Sequence, residues 1–391
     1  MRSISALAAL ALAALALAAL GAAPSDAQDS GLKNVILMIS DGIGFNGWLS
    51  ADYYQGRAGQ QPYQVVRPDG TAPHVYGVSH DALNLIDKAG RVLPSGHDPA
   101  EAAGAVLQGY DPQTRWMRFE RTIRNDFPPV ALEYTSYTDS AAAGSALQTG
   151  RKTANGRINM DWTGQARFRT IAEIFMDHGH AAGTVTSVMA SHATPATSIA
   201  HNVSRDNTVE IFDEMVASGL DVIMGAGHPH FDDSGNPVQP SDETAFRYVG
   251  GPETFAAMTS PDGLNGYAFI EKTDQFAALA NGDDLPKRIV GIARAASTLQ
   301  AARDESLGAN DTPSGVAFNA DVPDLATMSV GALNVLGQNT EGLFVMIEGG
   351  AVDWMGHANN MPRFIEEQTA FDEAVSAVIS WVEANSSWDD T

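Results

Sequence analysis

The sequence predicts an α/β protein, and three observations support this fold class. Short, nearly continuous apolar runs of strand length recur along the chain, as is typical of strands buried on both faces. These runs cover residues 34–40, 183–189, 221–224 and 343–347. Segments with apolar residues at helical spacing lie between or after them, at 168–178, 326–337 and 363–385. Polar residues follow several strand ends, which is where open α/β sheets bind ligands.

The composition limits the classes of partner. The chain has 391 residues, of which 44% are hydrophobic, so it can bury a large core in one elaborate domain or two. Its formal net charge is −24, and no basic cluster occurs. Because nucleic-acid binding needs patches of Lys and Arg, we expect no nucleic-acid partner. An acidic surface also repels phosphate esters, so any phosphate site needs local positive charge from metal ions or Arg.

The first 27 residues are typical of a signal peptide. Arg2 precedes an uncharged run rich in Ala and Leu, and small residues precede Gln28 at a plausible cleavage point. A retained anchor is the alternative, since residues 3–25 carry no charge and could span a bilayer. The absence of Cys excludes disulfides, thiol chemistry and lipid attachment through Cys. We therefore expect a periplasmic or secreted protein without stable membrane association after cleavage.

The first strand, 34–40, leads directly into Asp41. Glycine residues follow this Asp, so its carboxylate can reach a metal ion with little steric obstruction. A plain strand-to-helix turn is the alternative. A dinucleotide-binding turn is disfavoured, because the spacing of the glycines does not match that fingerprint.

Two segments are interpreted as loop-rich insertions, at 57–126 and 231–285. The first contains frequent Gly and Pro, with a short helix possible over 100–107. Its histidines, His74, His80 and His97, show no recurring ligand spacing, so surface positions are expected for them. The second is expected to consist of loops with a helix near 274–281, followed by a strand near 288–292.

Residues 137–150 contain the candidate nucleophile. Asp139 and Ser140 precede an Ala-rich run, which predicts a helix with Ser140 in its first turn and Gly150 at its end. The unpaired N–H groups and positive dipole end of a helix suit both a hydroxyl that must lose its proton and an incoming phosphate. An ordinary capped helix is the alternative.

Further polar side chains follow the strand at 183–189. Thr194 offers a hydroxyl oxygen to a hard cation, and Arg205 offers a planar fork that can pair two phosphate oxygens. A helix-capping Thr before Pro195 and a solvated Arg are the alternatives.

The strand at 343–347 ends at Glu348, and two glycines then lead to Asp353 and His357. An Asp and a His four residues apart on a helix face the same way and can chelate one cation. A carboxylate with an imidazole suits zinc, whereas Glu348, Asp41 and Thr194 form an oxygen set suited to magnesium.

Together these blocks resemble the alkaline phosphatase family, in the same order over most of the chain after residue 27. The matching positions are Asp41, Thr138 to Ala142, His192 to Pro195, Arg205, Glu348, Asp353 and His357. The resemblance implies a large mixed, mostly parallel central sheet with helices on both faces, formed as one catalytic domain over residues 28–391. It also implies small phosphate monoester substrates and, in many members, a homodimer.

The resemblance implies a role for each matching residue. Ser140 would be the nucleophile that becomes phosphorylated, Arg205 would hold the phosphate oxygens, and Asp139 would orient Arg205. Two zinc ions and one magnesium ion are implied. Their ligands would be Asp353 and His357 for one zinc, Asp41 and Ser140 for the other, and Asp41, Thr194 and Glu348 for magnesium.

The chain also departs from the family pattern. His192 replaces an acidic residue that some members carry near the magnesium, and Trp354 replaces a polar neighbour. The family continues beyond the helix at 363–385 into a strand with an Asp-His pair and a final His, all zinc ligands. No His follows His357 here, so the chain looks C-terminally truncated, and we expect weak zinc binding and little activity.

Two alternatives therefore stay open. The missing ligands leave room for a non-catalytic periplasmic protein that binds phosphate or metal. A phosphodiesterase or sulfatase of the same superfamily is the other. The sulfatase is disfavoured, because Gly144 stands where its maturation motif needs Arg and the chain has no Cys.

Overall fold

The computed structural model describes residues 32–61, 63–65, 76–78, 80, 82–86, 106–108, 118–120, 132–134 and 138–391. The predicted signal peptide and most of the predicted insertion at 57–126, including His74 and His97, lie outside these residues. The helix proposed for 100–107 also falls mostly outside them, and its end is a strand instead, at Val106–Gln108.

Most of the described strands form one sheet. The strands are β1 (Asn34–Ser40), β2 (Asn84–Ile86), β3 (Val106–Gln108), β4 (Arg118–Glu120), β5 (Leu132–Tyr134), β6 (Ala181–Met189), β7 (Val222–Ala226), β8 (Ala268–Ile270), β9 (Ile289–Ile292) and β10 (Leu343–Gly349). Six of them pair in the order β1-β10-β6-β7-β9-β8, with every neighbour parallel. The pairs β2–β3 and β4–β5 are short and antiparallel. The predicted α/β class is confirmed, and the described central sheet is parallel throughout.

The described helices flank this sheet. They are α1 (Phe45–Gln55), α2 (Ser140–Thr149), α3 (Ile171–Asp177), α4 (Ala193–Ala196), α5 (Thr208–Ala217), α6 (Gly251–Met258), α7 (Thr273–Asn281), α8 (Leu325–Leu336), α9 (Ala351–His357) and α10 (Met361–Asn385), with short 3-10 helices at Glu243–Val249 and Glu305–Leu307.

Alternation along the strands supplies a core on each face of the sheet. On β10, Val345 and Ile347 pack in a cluster with α7, α8 and α10, whereas Phe344 and Met346 pack in a second cluster with α3, α5 and α6. Helices therefore cover both faces. Parallel strands buried in this way need apolar residues on both sides, which explains the continuous apolar runs in the sequence.

Two expectations need correction. We expected β1 to be buried on both faces, but its residues are only half-buried, because within the described residues β1 forms an edge of the sheet. The segment 231–285 is more regular than expected, since besides α7, which matches the helix predicted near 274–281, it contains α6 and β8. Among the described residues, no helix combines the length and apolar character needed to cross a membrane.

Candidate active site

Ser140 is the first residue of α2, as the sequence predicts. Asp139 caps this helix: its Oδ1 accepts a 2.8 Å hydrogen bond from the backbone N–H of Ala142. Gly150 ends the helix in the left-handed conformation. A Cβ at Gly144 would lie 2.6 Å from the hydroxyl oxygen of Thr197, so this glycine allows the close packing that fixes α2.

The hydroxyl of Ser140 donates a 2.9 Å hydrogen bond to Oδ2 of Asp41. Asp41 follows β1 at the carboxyl edge of the sheet. Burial raises the pKa of Asp41, the negative charge of Asp353 raises it further, and the Ser140 hydrogen bond and Arg205 oppose the rise. Asp41 and Ser140 are distant in the sequence, yet the fold brings their side chains into contact.

Arg205 is held beside Ser140 by the other carboxylate oxygen of Asp139. Oδ2 of Asp139 accepts hydrogen bonds from Arg205 Nη1, at 3.2 Å, and from the backbone N–H of Gly156, at 2.9 Å. Asp139 therefore caps the helix with one oxygen and orients a guanidinium with the other. This geometry fits the role that the resemblance implies for Asp139.

His192 lies against the same guanidinium. Its Nε2 accepts a 3.3 Å hydrogen bond from Arg205 Nη2, and its ring meets the Trp354 ring edge-on with centroids 5.6 Å apart. Burial and the neighbouring Arg205 charge lower the pKa of His192 to about 3, so the ring is neutral. Its buried Nδ1 has no hydrogen-bond partner among the described residues.

Glu348 lies fully buried near the end of β10. Its Oε2 accepts a hydrogen bond from the Thr186 hydroxyl. Burial and the charge of Asp41 raise the pKa of Glu348, while the Thr186 and Thr194 hydroxyls oppose the rise. Even so, Glu348 Oε1 and Thr194 Oγ1 are both buried without a partner in hydrogen-bonding geometry within the described part of the chain.

Asp353 and His357 face the same way on α9, as predicted, with Oδ1 and Nε2 3.4 Å apart. The His357 side chain is 79% exposed, whereas that of Asp353 is 26% exposed. Burial raises the pKa of Asp353, and the charges of His357 and Arg205 oppose the rise.

Most of these residues line one cleft of about 680 Å³. Its walls include Asp41, Gly42, His80, Asp139, Ser140, His192, Arg205, Asp353, Trp354 and His357. Glu348 and Thr194 are not among its lining residues. His80 shows no recurring ligand spacing in the sequence, so its position in the cleft wall follows only from the fold.

The donors of this site suit metal ions, although within the described residues no three His, Asp or Glu side chains already form a metal cage. The buried, unpaired oxygens of Glu348 and Thr194 are hard donors of the kind that magnesium prefers. Burial raises the pKa values of Asp41, Glu348 and Asp353, and repulsion from neighbouring carboxylates adds to the rise at Asp41 and Glu348, which a bound cation would relieve. The Asp353–His357 pair offers a donor set suited to zinc.

Comparison with known proteins finds phosphatases among the proteins that this chain resembles. A family model described as alkaline phosphatase matches residues 118–387. Alkaline phosphatase 3 of Bacillus subtilis is 28% identical over 250 residues, which cover 62% of this chain and 46% of the relative. Streptomycin-6-phosphate phosphatase of Streptomyces griseus is 27% identical over 281 residues, covering 63% of this chain and 58% of the relative. The chain thus spans about half the length of these curated relatives.

Solved structures share the fold. A cold-active alkaline phosphatase from Shewanella sp. superposes with a TM-score of 0.53 at 22% identity, covering 90% of this chain and 65% of that one. A variant of the TAB5 alkaline phosphatase, described with Mg bound in its M3 site, gives a TM-score of 0.51 at 20% identity, covering 91% of this chain and 75% of that one.

Proposed function

The chain belongs to the alkaline phosphatase family, and we propose that it hydrolyses phosphate monoesters with Ser140 as the nucleophile. One observation carries the proposal: the Ser140 hydroxyl bonds to Asp41 at the helix N-terminus, while Arg205, anchored on Asp139, faces the same cleft. A nucleophile, its orienting carboxylate and a phosphate-binding cation are the groups that phosphoryl transfer needs.

The reaction takes place in two displacements. In the first, a bond forms between Ser140 Oγ and phosphorus while the bond from phosphorus to the ester oxygen breaks, and the proton lost by the Ser140 hydroxyl ends on the released alcohol. In the second, a water oxygen attacks phosphorus, the bond from phosphorus to Ser140 Oγ breaks, and a proton from the water restores the Ser140 hydroxyl as inorganic phosphate leaves. Asp41 orients the Ser140 hydroxyl toward the cleft, so the attacking oxygen is positioned before the substrate binds.

Arg205 supplies the charge that the substrate needs. Its guanidinium can pair two non-bridging phosphate oxygens, and Asp139 keeps it aimed at the cleft. The N–H groups of the first turn of α2 add further positive potential. This local charge offsets the long-range repulsion expected from the net charge of −24.

We also propose that the site takes two zinc ions and one magnesium ion. Asp353 and His357 would hold one zinc, Asp41 and Ser140 the other, and Asp41, Thr194 and Glu348 the magnesium, with His192 nearby. The unpaired oxygens of Glu348 and Thr194 support the magnesium assignment. When bound, such cations stabilise negative charge on the attacking and leaving oxygens.

The test compares three substrates with zinc and magnesium in excess: p-nitrophenyl phosphate, bis-p-nitrophenyl phosphate and p-nitrophenyl sulfate. We expect the monoester to be turned over fastest, and Ser140→Ala to lower its turnover by about 10³-fold or more. A faster diester reaction would indicate a phosphodiesterase instead. Turnover that survives Ser140→Ala would contradict the assignment of the nucleophile.

A non-catalytic phosphate- or metal-binding protein is the second candidate. The exposure of His357 and the two-residue donor set on α9 favour it, because tight zinc sites use more ligands. Such a protein would bind inorganic phosphate equally well before and after Ser140→Ala, and neither form would turn over the monoester. Calorimetry with inorganic phosphate, run beside the assay, separates the two candidates.

Export through residues 1–27 and homodimer formation remain predictions.

A further inference from the structure

A second cavity, of about 400 Å³, lies between α7, α8 and α10, on the side of the sheet opposite α5 and α6. Ser187 and Gly349, near the ends of β6 and β10, form part of its wall. Within the described part of the chain, no residue lines both this cavity and the active-site cleft. Its volume is within the range of small-molecule sites.

The cavity contains a buried acid without a partner. Glu367 lines it and is 5% exposed, yet its carboxyl makes no hydrogen bond or close ion pair within the described residues. Two buried arginines lie near it, but their guanidinium groups donate hydrogen bonds to other residues. Arg303 donates to Glu366 Oε2 at 2.8 Å, and Arg363 donates to the Arg303 carbonyl at 3.0 Å. Because no hydrogen bond from the described residues occupies its carboxyl and Glu367 lines the cavity, a ligand in the cavity can supply the partner.

Among the described residues, the ionisable groups that line the cavity are all acidic: Asp324, Glu367 and Glu373. An anionic ligand would therefore be repelled. A metal ion is disfavoured as well, because among the described residues no three acidic or His side chains are close enough to hold one. The remaining walls include Leu299, Val322 and Leu325, which are 2–4% exposed. A ligand that complements both the acidic groups and the apolar wall has one positive charge and an apolar body.

We propose that this cavity binds a small organic amine, with its ammonium group on Glu367 and its hydrocarbon body against Leu299, Val322 and Leu325. The ammonium supplies the donor that Glu367 lacks, and burial strengthens that ion pair. The net charge of −24 attracts cations to the protein from solution. The proposal is independent of the phosphatase function.

Calorimetric titration of the full chain tests it with three probes of similar shape: 2-phenylethylamine, 2-phenylethanol and phenylacetate. Physiological ionic strength is used to screen surface charges. We expect the amine to bind at least tenfold more tightly than the alcohol, and phenylacetate not to bind. Glu367→Gln should lower amine affinity at least tenfold and abolish the preference over the alcohol.

Two further variants locate the site. Ala277→Leu, on the α7 wall, should block the amine and the alcohol alike because it fills the cavity. Glu253→Gln removes one negative charge from the exposed surface of α6 and should leave amine binding unchanged. Equal affinity for amine and alcohol, unchanged amine binding by Glu367→Gln, or no binding to the unaltered chain would each overturn the proposal.

Discussion

The Asp353 carboxylate packs directly against the α-carbon of Gly42, so that a Cβ built on this glycine would lie 2.3 Å from Oδ1 of Asp353. Gly42 also has a φ of +65°, a conformation that other residues rarely adopt. Glycine at this position therefore lets the turn after β1 and the helix α9 approach each other. The contact brings Asp353 within reach of Asp41, and each carboxylate is a candidate zinc ligand.

Gly42→Ala is expected to reduce activity and stability together. The new methyl group must displace Asp353, and the positive φ adds strain of about 1–3 kcal/mol. Zinc affinity and turnover should fall, and the thermal midpoint should fall with them. Calorimetry with zinc, the monoester assay and thermal unfolding measure the three effects.

Substitutions at two other glycines distinguish the effect of the steric clash with Asp353 from the effect of the backbone strain. Gly56→Ala changes a residue at φ +66° whose added Cβ would have no atom of the described residues within 4 Å, so it should cost stability but leave zinc affinity unchanged. A Cβ added at Gly44, where φ is −107°, likewise meets no atom of the described residues within 4 Å, and Gly44→Ala should have little effect on either quantity. If Gly56→Ala lowered zinc affinity as much as Gly42→Ala, the contact with Asp353 would not be the cause.

Asp139→Asn should weaken phosphate binding while largely keeping the helix cap. Asn can still accept the hydrogen bond from the Ala142 N–H, but its NH2 group replaces the charged oxygen that accepts from Arg205 and from the Gly156 N–H. We expect KM for the monoester and Ki for inorganic phosphate to rise several-fold, with a small change in the thermal midpoint. Steady-state kinetics and thermal unfolding measure these quantities.

Asp139→Ala and Asp324→Ala complete this comparison. Asp139→Ala removes both functions and should cost about a further 1 kcal/mol of stability. Asp324 caps α8 by accepting from the Thr327 N–H, so Asp324→Ala should cost similar stability with KM unchanged. An unchanged KM for Asp139→Asn would show that Arg205 keeps its position without this charge.

The elements whose boundaries depend on local chemistry could be predicted from the sequence. Asp139 and Gly150 mark the two ends of α2, and the apolar run 343–347 lies within β10. By contrast, α1 was not predicted, because it contains Gly47 and mixes polar and apolar residues without a clear apolar face. Local sequence patterns therefore predict a helix or a strand correctly where the intrinsic propensity of the residues and their pattern of burial favour the same element.

The candidate site could be predicted less completely. The sequence indicated that Asp41 follows a strand and that Ser140 begins a helix, but the 2.9 Å contact between them depends on strand order, which no local pattern specifies. For the same reason, the position of His80 in the cleft wall and the unpaired state of Glu367 could not be predicted. Both depend on segments distant in sequence.

Removal of cations should destabilise the protein, with Glu348 as one of the groups responsible. A cation that binds only the folded state, at about 100 times its Kd, stabilises it by about 2.7 kcal/mol. We expect magnesium to raise the thermal midpoint of the unaltered chain and EDTA to reverse this. Glu348→Gln should lose most of the rise, because the amide offers one neutral oxygen to the cation. Glu253→Gln is the surface control, and a full magnesium response in Glu348→Gln would exclude Glu348 as a ligand.

Stability should decrease as pH rises because of Glu367. Burial, with a smaller contribution from the charge of Glu366, raises its pKa from a usual value of 4.5 to about 7, against the opposing charges of Arg303 and Arg363. Below pH 4.5 this carboxyl is protonated in both states and contributes no pH dependence. Between about pH 4.5 and 7 the unfolded chain releases the proton while the folded chain keeps it, so the free energy of unfolding falls as pH rises. Above about pH 7 both states are ionised and the loss is complete.

Glu367→Gln removes this titration, since the amide resembles the protonated acid at every pH. The variant should match the unaltered chain near pH 4.5 and exceed its free energy of unfolding at pH 8 by up to about 3 kcal/mol, at 1.36 kcal/mol for each unit of pKa shift. Urea unfolding at pH 5 and pH 8, without added amine, measures the difference, and Glu253→Gln should show no such pH-dependent gain. A stability difference that stays constant across this range would mean that Glu367 ionises in the folded protein as readily as in water. In that case an unrecognised partner already compensates its charge.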